Sequence, residues 1–146
     1  MLERFYDGDC DANALSPQAL AFIGDSVFNF FVKEKILCLA NRPAKHLHQL
    51  SSNAVCCQTQ SEAFKKIEPF LSDEEITVYK RGRNAHSSNK PKNATKAQYH
   101  SATGLEALFG YLYMKGNILR LRELFCIMFK DYNFEIEFKG GNKNEQ

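Results

Sequence analysis

The chain has 146 residues, 44% of them hydrophobic and 25% charged, long enough to bury one core and too apolar for a disordered chain, so a single globular domain is expected. Five cysteines, an odd number without Cys-x-x-Cys spacing, exclude a disulfide framework or a zinc finger and read as reduced thiols. The opening residues lack the basic-then-apolar order of an export signal, and no apolar run is long enough to span a bilayer, so a cytoplasmic protein without membrane contact is expected.

Ser16 and Pro17 open the first predicted helix, with Ser as N-cap and Pro preorganised for the first turn; its apolar pattern runs through residue 39, before the break at Pro43. Residues 44–71 are helix-compatible throughout. The predicted division into two helices falls at Ser51, Ser52 and Asn53, three side chains that compete for backbone hydrogen bonds. Ser72 and Glu75 fit a capping box, which starts another helix at Asp73 and carries it into residues 80–85. Residues 87–93 read as an exposed loop. A helix over 95–115 follows, ended by Gly116, and Asn117 caps a last one through about residue 131. No strand alternation or internal repeat appears, so the class is all-α, with a domain over 1–138 and a frayed tail over 139–146.

Net charge is only +2, but its distribution is uneven. Residues 76–105 hold Lys80, Arg81, Arg83, Lys90, Lys92 and Lys96 and no acid; +2 overall less the +6 of this segment leaves −4 on the remainder. A basic segment on an acidic body is suited to a polyanion, although a solvated face would show the same run.

Asp25 and Glu106 stand among the wrong neighbours. On a helix Asp25 lies beside Ala21, Phe22, Phe28 and Asn29, and Glu106 beside Ala102, Thr103, Phe109 and Gly110. Both are expected to face inward, where an ionised carboxylate needs a partner, a proton or a metal. Two such acids on two helices suggest a shared cation, and Gly24, Gly104 and Gly110 nearby suggest that the helices approach closely. All-oxygen ligation suits Mg²⁺, with Mn²⁺ as a substitute. The alternative for each acid is a structural residue satisfied by hydrogen bonds.

The segment from Leu20 to Phe28, with its Gly24-Asp25-Ser26 centre, resembles the ribonuclease III signature, and Glu106-Ala107-Leu108 resembles that family's second acidic motif. Lys80-Arg81-Gly82-Arg83-Asn84-Ala85 and Pro91-Lys92-Asn93 are similar to the Mini-III branch. The resemblance covers roughly residues 14–124. It implies a helical endonuclease fold that forms a homodimer, with Asp25 and Glu106 as catalytic and metal-holding residues. It also implies hydrolysis of double-stranded RNA to 5′-phosphate and 3′-hydroxyl ends.

The physiological role so implied is maturation of precursor 23S ribosomal RNA, with a large-subunit ribosomal protein as a further partner. Lys80, Arg81, Arg83, Asn84, Lys90 and Lys92 are then the expected RNA contacts, and His48, Ser51, Tyr99 and Thr103 supporting residues. Ala21 and Thr103 stand where full-length family members have further acids, and no double-stranded-RNA-binding domain is expected. A competing reading is a catalytically silent RNA-binding or ribosome-assembly domain.

Overall fold

The computed structural model describes residues 3–85 and 95–135. Among these, all regular structure is helical and no strand occurs, in agreement with the all-α expectation. The loop expected over 87–93 and the tail over 139–146 lie outside the described residues.

Local signals set most helix ends. Helix α1 (Pro17–Leu39) begins where the Ser16 side chain accepts from the Ala19 N–H at 3.1 Å. Helix α2 spans Ala44–Val55 and α3 spans Cys57–Ile67. The division between them is therefore at Cys56, not at Ser51–Asn53. Ser51 is buried inside α2, and the Ser52 hydroxyl donates back to the His48 carbonyl at 2.9 Å, so neither competes with the helix. At Cys56 the backbone turns extended, and side chains of α3 take up the freed carbonyls of α2. Thr59 Oγ1 donates to the Asn53 carbonyl at 2.9 Å and Gln60 Nε2 to the Val55 carbonyl at 3.1 Å.

Helix α4 (Asp73–Asn84) starts with the expected capping box of Ser72 and Glu75. Helix α5 (Lys96–Met114) has one too, formed by Thr95 and Gln98. Gly116, at φ 72°, ends α5: its N–H bonds the Tyr113 carbonyl and that of Asn117 the Leu112 carbonyl, a pattern that needs the left-handed conformation glycine adopts without strain. Asn117 then caps α6 (Ile118–Phe129).

Helix α5 runs through the middle of the core. Its Leu105, Leu108, Phe109 and Leu112 pack with Phe28, Val32 and Ile36 of α1, Phe64 and Ile67 of α3, and Leu121, Leu124 and Met128 of α6. The rings of Phe28 and Phe109 meet edge to face at 5.5 Å. Burying each such side chain stabilises the fold by about 1.5–3 kcal/mol. A buried ion pair joins α4 to α6: Glu75 accepts from Arg120 Nε at 2.9 Å and from Nη2 at 2.8 Å, while Nη2 also reaches the Phe70 carbonyl. With the core anchored this way, α1 and α5 cross over their most extensive mutual contact.

Candidate active site

The crossing of α1 and α5 depends on two glycines. A Cβ on Gly24 would overlap the carbonyl of Glu106 and lie 2.8 Å from the amide nitrogen of Gly110, and a Cβ on Gly110 would overlap the carbonyl of Leu20. Backbone therefore meets backbone, as the glycine pattern predicts. Gly24 precedes Asp25, so the same contact brings Asp25 beside Glu106. Gly82 and Gly104 let α4 pack closely on α5, where Gly104 sits against the ring of Tyr79.

The two acids differ in environment. Glu106 is partly buried, and its carboxyl is pushed up from the usual 4.5 to about 7, first by burial and then by the charge of Asp25; a hydrogen bond from the Gln60 side chain pulls the other way. Asp25 is exposed, and Asn29 Nδ2 donates to its Oδ1 at 3.1 Å and to its carbonyl at 2.8 Å.

The expectation of two inward-facing acids thus holds only for Glu106. The buried stripe of α1 is Leu20, Ala21, Gly24, Phe28, Val32 and Ile36. Asp25 stands just outside it, one turn from Phe22, which is itself 81% exposed. Apolar neighbours here mark a surface as much as a core.

Neither acid forms an ion pair within the described residues, and no cluster of three or more His, Cys, Asp or Glu occurs among them. Two carboxylates nevertheless supply hard oxygens that suit a small divalent cation completed by water. The thiol of Cys57, at the first residue of α3, is pushed up by burial and then by the charge of Glu106, so the start of α3 lies within electrostatic reach of the site. Gln60, Cys57 and Asn29 were not among the sequence-derived site residues. Asn29, four positions from Asp25 on one helix, was within reach of a spacing argument; Gln60 and Cys57 meet Glu106 only through tertiary packing.

The first part of the basic segment lies close by. Gly82 lies between Arg81 and Arg83, and a Cβ on it would come within 2.6 Å of the Cβ of Ala107, the neighbour of Glu106. Lys80, Arg81 and Asn84 are exposed. The Arg83 guanidinium lies 5.8 Å from the Tyr79 ring centroid, and its Nε donates to Asn84 Oδ1 at 3.2 Å. Arg83 and Asn84 line an open groove of about 560 Å³ that His100 and Ser101 of α5 complete on one side. Lys90 and Lys92 lie outside the described residues.

Tyr99 and Thr103 belong to the same half of α5, where Thr103 Oγ1 donates to the Tyr99 carbonyl at 3.0 Å. His48 and Ser51 are placed elsewhere. They line a cavity of about 180 Å³ against Lys33, Ile36 and Leu37, about 12 Å or more along α1 from Asp25 by helical rise.

Comparison with known proteins bears on the family and the fold. The family profile of the ribonuclease III domain matches residues 18–117. A Mini-ribonuclease 3 from Thermoanaerobacter sp. is 41% identical over 111 residues, covering 76% of this chain and 78% of that protein. One from Clostridium tetani is 34% identical over 133 residues, covering 90% and 88%. The crystal structure of a Fusobacterium nucleatum protein superimposes with a TM-score of 0.75 at 26% identity, covering 84% of this chain and 94% of the other.

Proposed function

The chain belongs to the ribonuclease III family, and on that premise we propose that it is an endoribonuclease that cuts both strands of structured RNA duplexes with Mg²⁺, or Mn²⁺ in its place, held jointly by Asp25 and Glu106. The observation that carries this reading is the glycine-lined crossing of α1 and α5. It sets two carboxylates of like charge within electrostatic reach of one another, with no cationic side chain paired to either among the described residues. Such a pair is unfavourable by itself and is relieved by a cation.

A divalent ion bound there supplies an activated water near neutral pH and offsets charge on a phosphodiester. The protein's own groups do the rest. Asn29 steadies Asp25 through its 3.1 Å hydrogen bond, and the exposure of Asp25 leaves the site open to a large substrate. Lys80, Arg81, Arg83 and Asn84 bind phosphates and sugars of the duplex, with Lys90 and Lys92 following the backbone from the adjoining segment. Products carry 5′-phosphate and 3′-hydroxyl ends. We assign precursor 23S ribosomal RNA as the substrate, bound together with a large-subunit ribosomal protein.

A duplex has two strands, and a second copy of the chain supplies the second site. Phe22 and Phe30 of α1 and Phe5 are exposed apolar rings, and Phe5 and Phe30 border a groove with Ile23, Val27 and Tyr113. A homodimer seated on this face covers them and dries the surroundings of Asp25. Sedimentation showing a monomer at working concentration contradicts that arrangement.

The activity is tested with a uniform RNA duplex and one of its strands, each with Mg²⁺ or chelator. Both strands of the duplex are cut in Mg²⁺ alone, leaving ligatable 5′-phosphates, and the single strand is spared. Equal cleavage of the single strand, or cleavage undiminished by chelation, overturns the reading.

A further inference from the structure

Glu106 is steadied by a neutral group. Gln60 of α3 is only 2% exposed. Its Nε2 donates to the Val55 carbonyl at 3.1 Å, and the side chain lies close enough to Glu106 to favour its ionised form. The Val55 carbonyl is an acceptor, which fixes the amide orientation: a flipped amide would set its oxygen against that carbonyl. The oxygen left over, Oε1, is buried and has no partner among the described residues. A buried acceptor without a donor is costly, and an apolar side chain of the same size would avoid that cost. Capping Val55 accounts for the N–H of Gln60 but not for its oxygen.

The surroundings indicate what that oxygen meets. Cys57, where α3 begins, feels the charge of Glu106, so the start of that helix lies within electrostatic reach of the carboxylate. The site thus holds carboxylate oxygens with an unused amide oxygen nearby, a setting suited to water. A third carboxylate at this position would add repulsion to the Asp25–Glu106 pair; an amide orients without adding charge.

We propose that Gln60 is a positioning residue of the carboxylate site: its N–H holds Glu106 toward Asp25, and its Oε1 accepts a hydrogen bond from a water that coordinates the divalent ion. This rests on the reading of Asp25 and Glu106 as ion holders. Groups that orient metal ligands typically change affinity by about 10- to 100-fold when removed.

The test is Mn²⁺ binding, read by electron paramagnetic resonance and by the Mn²⁺-induced rise in Tm, for the wild type, Asp25→Asn, Gln60→Leu and Gln60→Met. Methionine, unbranched and similar in volume, serves if the leucine variant does not fold. In the folded Gln60 variants Mn²⁺ affinity falls about tenfold or more, the Mn²⁺-induced rise in Tm shrinks, and kcat on duplex RNA drops while KM stays unchanged. A purely structural role lowers Tm equally with and without Mn²⁺ and leaves affinity within about twofold; that result overturns the inference. If Asp25→Asn loses the ion while Gln60→Leu matches the wild type, only the role of Gln60 is refuted. If the wild type binds no Mn²⁺, both readings fall.

Discussion

Replacing Glu106 by glutamine should make the metal-free protein more stable at pH 8, although it removes a residue assigned to catalysis. The folded carboxyl is pushed from 4.5 to about 7, first by burial and then by the charge of Asp25. Because the folded value is the higher one, the protonated folded form is favoured: the stabilising contribution is complete below the unfolded value and is lost as pH rises from about 4.5 through about 7. Converting that difference gives a cost of ionised Glu106 of about 3 kcal/mol at pH 8 and less than about 0.5 kcal/mol at pH 4.5.

The glutamine keeps the shape and removes the charge. Urea unfolding in chelator, at fixed protomer concentration and several pH values, measures the gap. The variant should gain up to about 3 kcal/mol at pH 8 and converge on the wild type near pH 4.5. A variant equally or less stable at pH 8, or a gain independent of pH, refutes the electrostatic account of this site.

Four other substitutions test separate parts of the structure. Gly24→Ala gains about 1 kcal/mol of helix propensity but forces the α1–α5 crossing apart at a cost of about 3 kcal/mol; a net loss of about 2 kcal/mol, with cleavage lost, is expected in urea melts and duplex assays. Arg120→Met strands Glu75 and should cost about 3 kcal/mol at pH 7. Burial alone would raise the Glu75 carboxyl, but hydrogen bonds from Arg120 and Ser72 outweigh it and hold it below the usual 4.5. The contribution of that pair is present above about 4.5 and lost as pH falls through the lowered value, so wild type and variant should converge in acid melts. For RNA, each of Arg81→Ala and Arg83→Ala should weaken duplex binding and reduce the slope of log affinity against log salt by about 1; unchanged slopes in filter binding place the contact elsewhere.

The parts of the fold legible in the sequence are those decided within a few residues. Ser16, Ser72 with Glu75, Gly116 and Asn117 each act on backbone groups one turn away, and each delimits its helix as expected. The break between α2 and α3 was misplaced because Ser52 satisfies its hydroxyl inside the helix, while the side chains that compensate the true break, Thr59 and Gln60, lie beyond it.

The candidate site divides in the same way. Glycines beside two acids signalled a close crossing, and the structure contains it. The exposure of Asp25 was not legible from its neighbours at helical spacing, because Phe22, one turn away, stands on an open face and not in the core. Gln60 against Glu106 and Arg120 against Glu75 join residues about 45 positions apart, and nothing in the local pattern pairs them.

Duplex cleavage by Asp25→Asn and Glu106→Gln, assayed at saturating RNA with Mg²⁺ beside RNA-binding measurements on the same samples, tests the joint role of the two carboxylates most directly. Each substitution should lower the rate by about 10³-fold or more, equivalent to about 4 kcal/mol of lost transition-state stabilisation, while binding the duplex as the wild type does. Near-normal cleavage by either variant would contradict the shared-ion site, and a wild type that binds duplex RNA but leaves it intact would identify a catalytically silent RNA-binding domain.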